Sequence, residues 1–447
     1  MSYVPGSDDD WTAMLEALGV ASIDDLFRQI PSELRETAAA NLPGPLSESE
    51  LLRHMRDLAA TNSSLDDLTC FAGGGVYDRF ISSIVLDVIN RPEFKTGYTP
   101  YQPEASQGML QALFEYQSMI CELTGLPVAN ASLYDGASAL GEAVLLAAAQ
   151  TRRSRALVSR ALSPSARRVA TTYCSAMNID VVDVPYDAET GQTDIDALSA
   201  MMADDVSCVA LQHPNYFGVL EDMGAAAEMA HGSGALFVAS VEPISLGVLR
   251  PPGEYGADVA IGEGQPLGIA PAYGGPLLGL FACGEEMMRR VPGRVVGETV
   301  DADGRRAYCL TLQTREQHIR RERATSNICT SESLCALAST VYLAALGPQG
   351  LRELAELSAQ KARYLSDGLM ATGKAKPRFA SAFLNEFVVD IDESADEAVT
   401  RLAGMGFLVG PSLGRDYPEL ESCLLLAATE QRSRDDIDSL VAAFGAG

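Results

Sequence analysis

The chain has 447 residues, 47% of them hydrophobic, and a formal net charge of −27 from 33 basic and 60 acidic side chains. That length allows two or three domains with sizeable cores, and so acidic a surface opposes a phosphate backbone, which sets nucleic acid aside as a partner. No run approaches the roughly 18 consecutive apolar residues of a membrane span, and the acidic N-terminus MSYVPGSDDDW lacks the charged-then-apolar order of a secretion signal. No membrane partner and a cytoplasmic location are therefore expected. Nine cysteines without a CxxC and only four histidines (His54, His213, His231 and His318) fit neither a disulfide framework nor a zinc cluster, and no metal is expected.

Residues 1–70 read as a helical arm. DDDWTAMLEALG has an acidic first turn, apolar Trp11, Met14, Leu15 and Leu18 at helical spacing, and Gly19 as a stop. A second short helix follows Ser22, and SESELLRHMRDLAA makes a third, with Ser47 and Glu50 spaced as a capping box. After YTPYQPEASQG comes an amphipathic helix whose apolar face carries Met109, Leu110, Leu113, Phe114, Met119, Ile120 and Leu123. Between about Ala156 and Phe281 the runs ALVS, IDVVDV, VSCVALQ, ALFVAS, ADVAIG and LLGLFAC alternate with helical stretches, the pattern of a parallel or mixed sheet covered on both faces. Beyond Ser331 the chain turns helical through ESLCALASTVYLAALG and GLRELAELSAQKARYLSDGL, then adds the strand candidate EFVVDI, a helix, the apolar run CLLLAA and a last helix. The expected organisation is an arm (1–70), a large α/β domain (71–325) and a small C-terminal α+β domain (326–447).

Few stretches carry chemistry. In YTPYQPE, two prolines stiffen a segment holding Tyr98, Thr99, Tyr101, Gln102 and Glu104 ahead of a helix; on periodicity alone it reads as a structural turn slightly ahead of a ligand grip. Gly136, Ala137, Ser138 and Ala139 open a helix in the manner of a phosphate cradle, but Asp135 as its cap would take the donors and repel a phosphate, so a capped structural helix is the better reading. His213, in a loop with Pro214, Asn215 and Gly218, is either a base or a packing group. TREQHIRRERATSNICT is a basic cluster whose Arg315, Arg320, Arg321 and Arg323 either clamp a carboxylate or line a solvated helix face with Glu316 and Glu322. ADVAIGEGQPLG runs from a strand into a glycine- and proline-rich loop with no nucleophile, and its Gly262, Gly264 and Gly268 are spaced one residue too widely for a dinucleotide fingerprint. The lysines are Lys95, Lys361, Lys374 and Lys376, none between 96 and 360.

The order of these pieces resembles the aminotransferase-like (fold type I) pyridoxal phosphate enzymes, an α/β fold with a large, mostly parallel sheet domain and a smaller C-terminal α+β domain. In that architecture a strand bearing an acid for the pyridine nitrogen precedes a strand ending at the cofactor lysine. Here Glu242 in FVASVEPISLG is the nearest carboxylate, and Gln265 or Pro266 stands where the amine belongs. More narrowly, YTPYQPEASQG, FEYQSMICELTG, ANASLYDGASAL, VGETVDADGRRAYCLTLQTREQHIRRERATSNICT and VYLAALGPQGL are similar to the glycine decarboxylase, or P-protein, family of the glycine cleavage system in its split, two-chain form, over nearly the whole chain.

The resemblance implies decarboxylation of glycine on pyridoxal 5'-phosphate and passage of the aminomethyl group to the lipoyl arm of the H-protein. It places the cofactor lysine on subunit 2 (beta), makes the T- and L-proteins indirect partners, and suggests a pair of heterodimers. It also implies that Tyr98, Thr99, Tyr101 and Gln102 reach the partner's site to orient the cofactor phosphate or the glycine carboxylate, with Glu104 capping the following helix. Arg320, Arg321, Arg323, Asn327 and His213 become candidate carboxylate or interface contacts. The chemistry agrees independently: without a primary amine between Lys95 and Lys361, the stretch that holds the strand where the cofactor lysine belongs, no residue there can hold the cofactor covalently, and the chain alone should be inactive. A catalytically silent scaffold of the same fold, and an independent enzyme using the arginines and histidines, are the competing readings.

Overall fold

The apolar runs between Ala156 and Phe281 become strands because both faces of each are covered. In the computed structural model, which describes residues 6–37, 42–95, 97–324 and 326–446, a seven-stranded sheet is built from Val128–Ala129 (β1), Arg155–Ser159 (β2), Asp180–Val184 (β3), Val206–His213 (β4), Leu236–Val241 (β5), Val259–Glu263 (β6) and Gly279–Cys283 (β7), in the order β1-β7-β6-β5-β4-β2-β3. β2 to β6 run parallel; β7 is antiparallel to β6 and pairs with the two-residue edge strand β1. Alternate side chains go to opposite layers. Ala156, Val158, Cys208, Ala210 and Val238 pack with Leu140, Val144 and Ala170 on one face, while Leu157, Val209, Leu211, Phe237 and Ala239 pack with Met223, Ala226 and Ala230 on the other.

The chain divides into two compact units, Met1–Ser63 and Ser64–Gly447. The first holds helices Asp8–Leu18, Ser32–Thr37 and Glu48–Ala59 and a 3₁₀ turn, Ile23–Phe27, where a short helix is expected. Ser7 with Asp10, Ser22 with Asp25 and Ser47 with Glu50 form reciprocal capping boxes. None of its described residues is buried, and Trp11, Met14, Leu51 and Met55 stay exposed.

In the second unit a hairpin, Val295–Val300 with Arg306–Thr311, follows the large sheet. The two helices expected beyond Ser331 form one span, Ser333–Ala371, broken at Gly347, whose φ of 62° and ψ of 178° leave the helical region just before Pro348. Its most apolar window is half buried inside the protein. Ala375–Pro377, Glu386–Ile391 and Cys423–Ala427 make a small antiparallel sheet. The boundary expected at 325/326 involves Thr325, which lies outside the described residues.

One stretch joins the two sheets. Thr69–Cys70 pairs in parallel with Phe407–Leu408, and the chain then runs to Phe80 along the small sheet. Tyr77 donates its O–H to Glu386 Oε1 at 2.8 Å, and its backbone N–H to Gln265 Oε1 at 2.9 Å. Fully buried Arg79 stands between Glu242 (3.5 Å) and Glu430 (2.8 Å).

Candidate functional site

The carboxyl ends of β4, β5 and β6 face the start of helix Gly136–Thr151 across a crevice of about 300 Å³, lined by Tyr77, Asp135, Ser163, Gln212, Glu242 and Glu263 among others. Open α/β sheets bind their ligands at this edge. Here the anion-attracting helix start is already engaged. Asp135 is its N-cap and accepts from Ser138 N at 2.6 Å. Glu263, the last residue of β6, accepts from Gly136 N at 3.0 Å through Oε2 and from Gln265 N and Leu278 N at 2.9 Å through Oε1. Burial pushes the Glu263 carboxyl up to about 7, against the pull of those three N–H groups. Gly136 permits the contact: a Cβ there would stand 2.9 Å from Glu263 N.

At the place expected for an amine, Gln265 is buried and spends its amide on structure. It donates to the carbonyls of Tyr77 (3.1 Å) and Ile269 (2.6 Å) and accepts from Tyr77 N. Glu242, expected nearest to a pyridine nitrogen, caps a 3₁₀ turn through Ser245 N at 2.7 Å and faces Arg79; burial raises its carboxyl, opposed by Arg79. Among the described residues lining the crevice there is no lysine. With no amine, and with the helix-start donors Gly136 N and Ser138 N taken by two carboxylates whose charge opposes a phosphate, this crevice does not fit pyridoxal phosphate.

A second constellation forms at the surface from the other motifs. Tyr101 O–H lies 2.6 Å from Arg294 Nη2, and the guanidinium carbon sits 4.5 Å from the tyrosine ring centroid. Arg294 is buried, pairs with Glu316 through Nη1 at 2.6 Å and also donates to the Cys329 carbonyl. His318 meets the Tyr101 ring edge-on at 5.8 Å, with Nδ1 3.4 Å from Glu316. Thr99 Oγ1 lies 3.1 Å from Thr330 Oγ1, while Tyr98, 83% exposed, projects from the same segment. The structure thus brings the Tyr98–Tyr101 segment onto the 313–330 segment, with a buried Arg–Glu pair beneath the two.

The remaining expected residues divide. Gln102 and Glu104 are exposed, and the expected cap by Glu104 is not formed. Gln107 holds that helix start instead, donating to the Pro103 and Tyr308 carbonyls and accepting from Tyr308 N, while Glu104 lies one turn earlier in the 3₁₀ turn Pro103–Ala105. Arg320, Arg321 and Arg323 are exposed; Arg320 donates to the Thr314 carbonyl and Arg323 pairs loosely with Glu322 at 3.7 Å, a contact of little energetic weight. Asn327 accepts from Gln317 Nε2 at 3.0 Å. His213 lies at the end of β4, where its Nδ1 accepts from Glu221 N at 3.1 Å and burial pushes it down to about 4, so it is neutral and serves as an acceptor. Among the described residues it shares no hydrogen bond with the Tyr101 cluster. Sequence reasoning missed Arg294, Glu263, Tyr77 and Arg79; of these only Glu263 had a signal, a carboxylate ending a buried strand.

Comparison with known proteins identifies the family and the fold. The family model of the glycine cleavage system P-protein matches residues 1–444. A relative named "Probable glycine dehydrogenase (decarboxylating) subunit 1", from Carboxydothermus hydrogenoformans, is 48% identical over 445 residues, covering 100% of this chain and 99% of its own. A crystal structure of glycine decarboxylase (P-protein) in inhibitor-bound form superposes with a TM-score of 0.92 at 44% identity, covering 100% of both chains. Likeness of fold alone extends to an alanine–glyoxylate aminotransferase from Nostoc sp., with a TM-score of 0.59 at 17% identity over 85% of this chain and 95% of that one. The fold is that of the aminotransferase-like, type I pyridoxal phosphate enzymes, and the chain belongs to the glycine cleavage system P-protein family.

Proposed function

We propose that this chain is subunit 1, the one without the cofactor lysine, of a two-chain glycine dehydrogenase (decarboxylating). Subunit 2 holds pyridoxal phosphate covalently and this chain completes its site. The observation that carries the reading is the crevice at the end of β6: full-length kinship to a glycine-decarboxylating family is combined with a cofactor edge that has no amine and whose helix-start donors Ser138 N and Gly136 N are taken by Asp135 and Glu263. When bound by the partner, the cofactor supplies the electron sink for decarboxylation. The work left to this chain is positioning. The exposed Tyr98 and the Arg294-anchored Tyr101 face outward from a rigid base, suited to orient a carboxylate or phosphate across a subunit boundary. The aminomethyl group then leaves on the lipoyl arm of the H-protein, with the T- and L-proteins acting downstream.

The test is exchange of the glycine carboxyl group with bicarbonate by the two-subunit enzyme. Tyr98→Phe/Tyr101→Phe should lower exchange by about 10-fold or more, since positioned groups contribute on that scale, while the subunits still co-elute. Full exchange by the double variant removes the cross-subunit role. Exchange by subunit 2 without this chain would favour the silent-scaffold reading.

A further inference from the structure

Three backbone N–H groups from separate stretches of chain meet on one side chain beside the crevice. Gly136 N comes from the first residue of a 16-residue helix, Gln265 N from the loop leaving β6, and Leu278 N from the approach to β7. A helix end by itself attracts negative charge; it does not recruit donors from two loops. Their convergence on both oxygens of one carboxylate, next to a crevice also lined by Gly74, Gly75, Ser163 and Ser165, is the arrangement of a built oxyanion hole. The occupant belongs to the chain itself.

We infer that Gly136, Gln265 and Leu278 form an oxyanion seat that Glu263 fills from within, and that this internal carboxyl group closes the chain's own crevice to a small oxyanion or to the phosphate of a phosphorylated cofactor. The filled seat is a barrier separate from the missing amine. Gln265→Lys alone would supply a nitrogen but leave the donors engaged, with Asp135 still holding Ser138 N. Glu263 also ties the strand end to the helix start and to the loop at Leu278, so the closure is structural as well as electrostatic.

Chemical rescue of the full-length chain tests this. Glu263→Ala should lower the melting temperature, and sodium formate should recover more than half of the loss with a saturable dose dependence, whereas sodium chloride at the same ionic strength should not. The wild-type chain should show no formate-specific shift and should retain no pyridoxal phosphate through gel filtration. Formate acting no better than chloride on Glu263→Ala overturns the proposal, as does saturable formate stabilisation of the wild type or one retained pyridoxal phosphate per chain. If Glu263→Ala does not fold, Glu263→Gln keeps the shape but turns an amide N–H₂ toward a donor. Amide hydrogen exchange should then accelerate together in the peptides containing Gly136 and Gln265–Leu278, with no formate effect because the seat stays filled. Unchanged protection in either peptide overturns the proposal.

Discussion

Replacing Arg294 with alanine should cost up to about 3–5 kcal/mol of stability, because it strips the buried Glu316 of its arginine and leaves only the half-exposed His318 ring, 3.4 Å away, beside the carboxylate. Glu316 has 8% side-chain exposure and Arg294 has 2%, so water cannot take over the lost partner. The same change releases Tyr101, whose hydroxyl and ring both rest on the guanidinium, and frees the Cys329 carbonyl. Urea unfolding should therefore show a large fall in midpoint, and exchange by the two-subunit enzyme should fall with it. Arg294→Lys keeps the charge but loses the planar fork that serves Glu316, Tyr101 and Cys329 together; it should recover part of the stability and less of the activity. Arg294→Met/Glu316→Leu separates the two effects. Removing both charges should restore much of the midpoint while exchange stays low, since Tyr101 remains unanchored. Restored exchange in that double variant would show that Arg294 acts only on stability.

Arg79→Ala should be at least as damaging to the fold, again by about 3–5 kcal/mol, because two buried carboxylates lose one cation. Glu242 and Glu430 have 8% and 10% side-chain exposure, against 2% for Arg79. Glu430 is further committed to Phe80 N at 2.8 Å, and Ser358 Oγ lies 3.2 Å from Arg79. The loss falls where residues 71–80 join the two sheets, so limited proteolysis should cut near this stretch in the variant and not in the wild type. Glu242→Gln added to Arg79→Ala should return part of the stability by removing one stranded charge. A wild-type unfolding midpoint for Arg79→Ala would mean that the carboxylates find other compensation.

The large sheet was legible because its strands are continuous apolar runs, buried on both faces and separated by helices of ordinary length. The edge strand Val128–Ala129 was not, since two residues give no period to read, and the hairpin at 295–311 was hidden inside a motif noticed only for its resemblance. For the site, sequence directed attention to the visible arginine cluster, yet Arg320, Arg321 and Arg323 lie at the surface. Of that cluster only Arg315 is buried, donating to the Leu312 and Gly293 carbonyls, and the other organising arginines meet distant partners: Arg79 finds Glu242 at a separation of 163 residues and Glu430 at 351, and Arg294 finds Tyr101 at 193. Glu263 stood in plain view, but its helix-start donor comes from 127 residues away. Pairings at such distances are set by strand order, which local pattern does not encode. The tyrosine segment and the lysine-free stretch could be named from sequence because both are statements about which side chains exist rather than where they meet.

The division of labour between the two subunits depends on where a cofactor can be held. The decisive measurement is borohydride reduction of the reconstituted two-subunit enzyme with pyridoxal phosphate, followed by intact mass of each separated chain. The pyridoxyl mass increment should appear once on subunit 2 and be absent from this chain. A stoichiometric increment on this chain, or glycine–bicarbonate exchange by this chain alone, would contradict it.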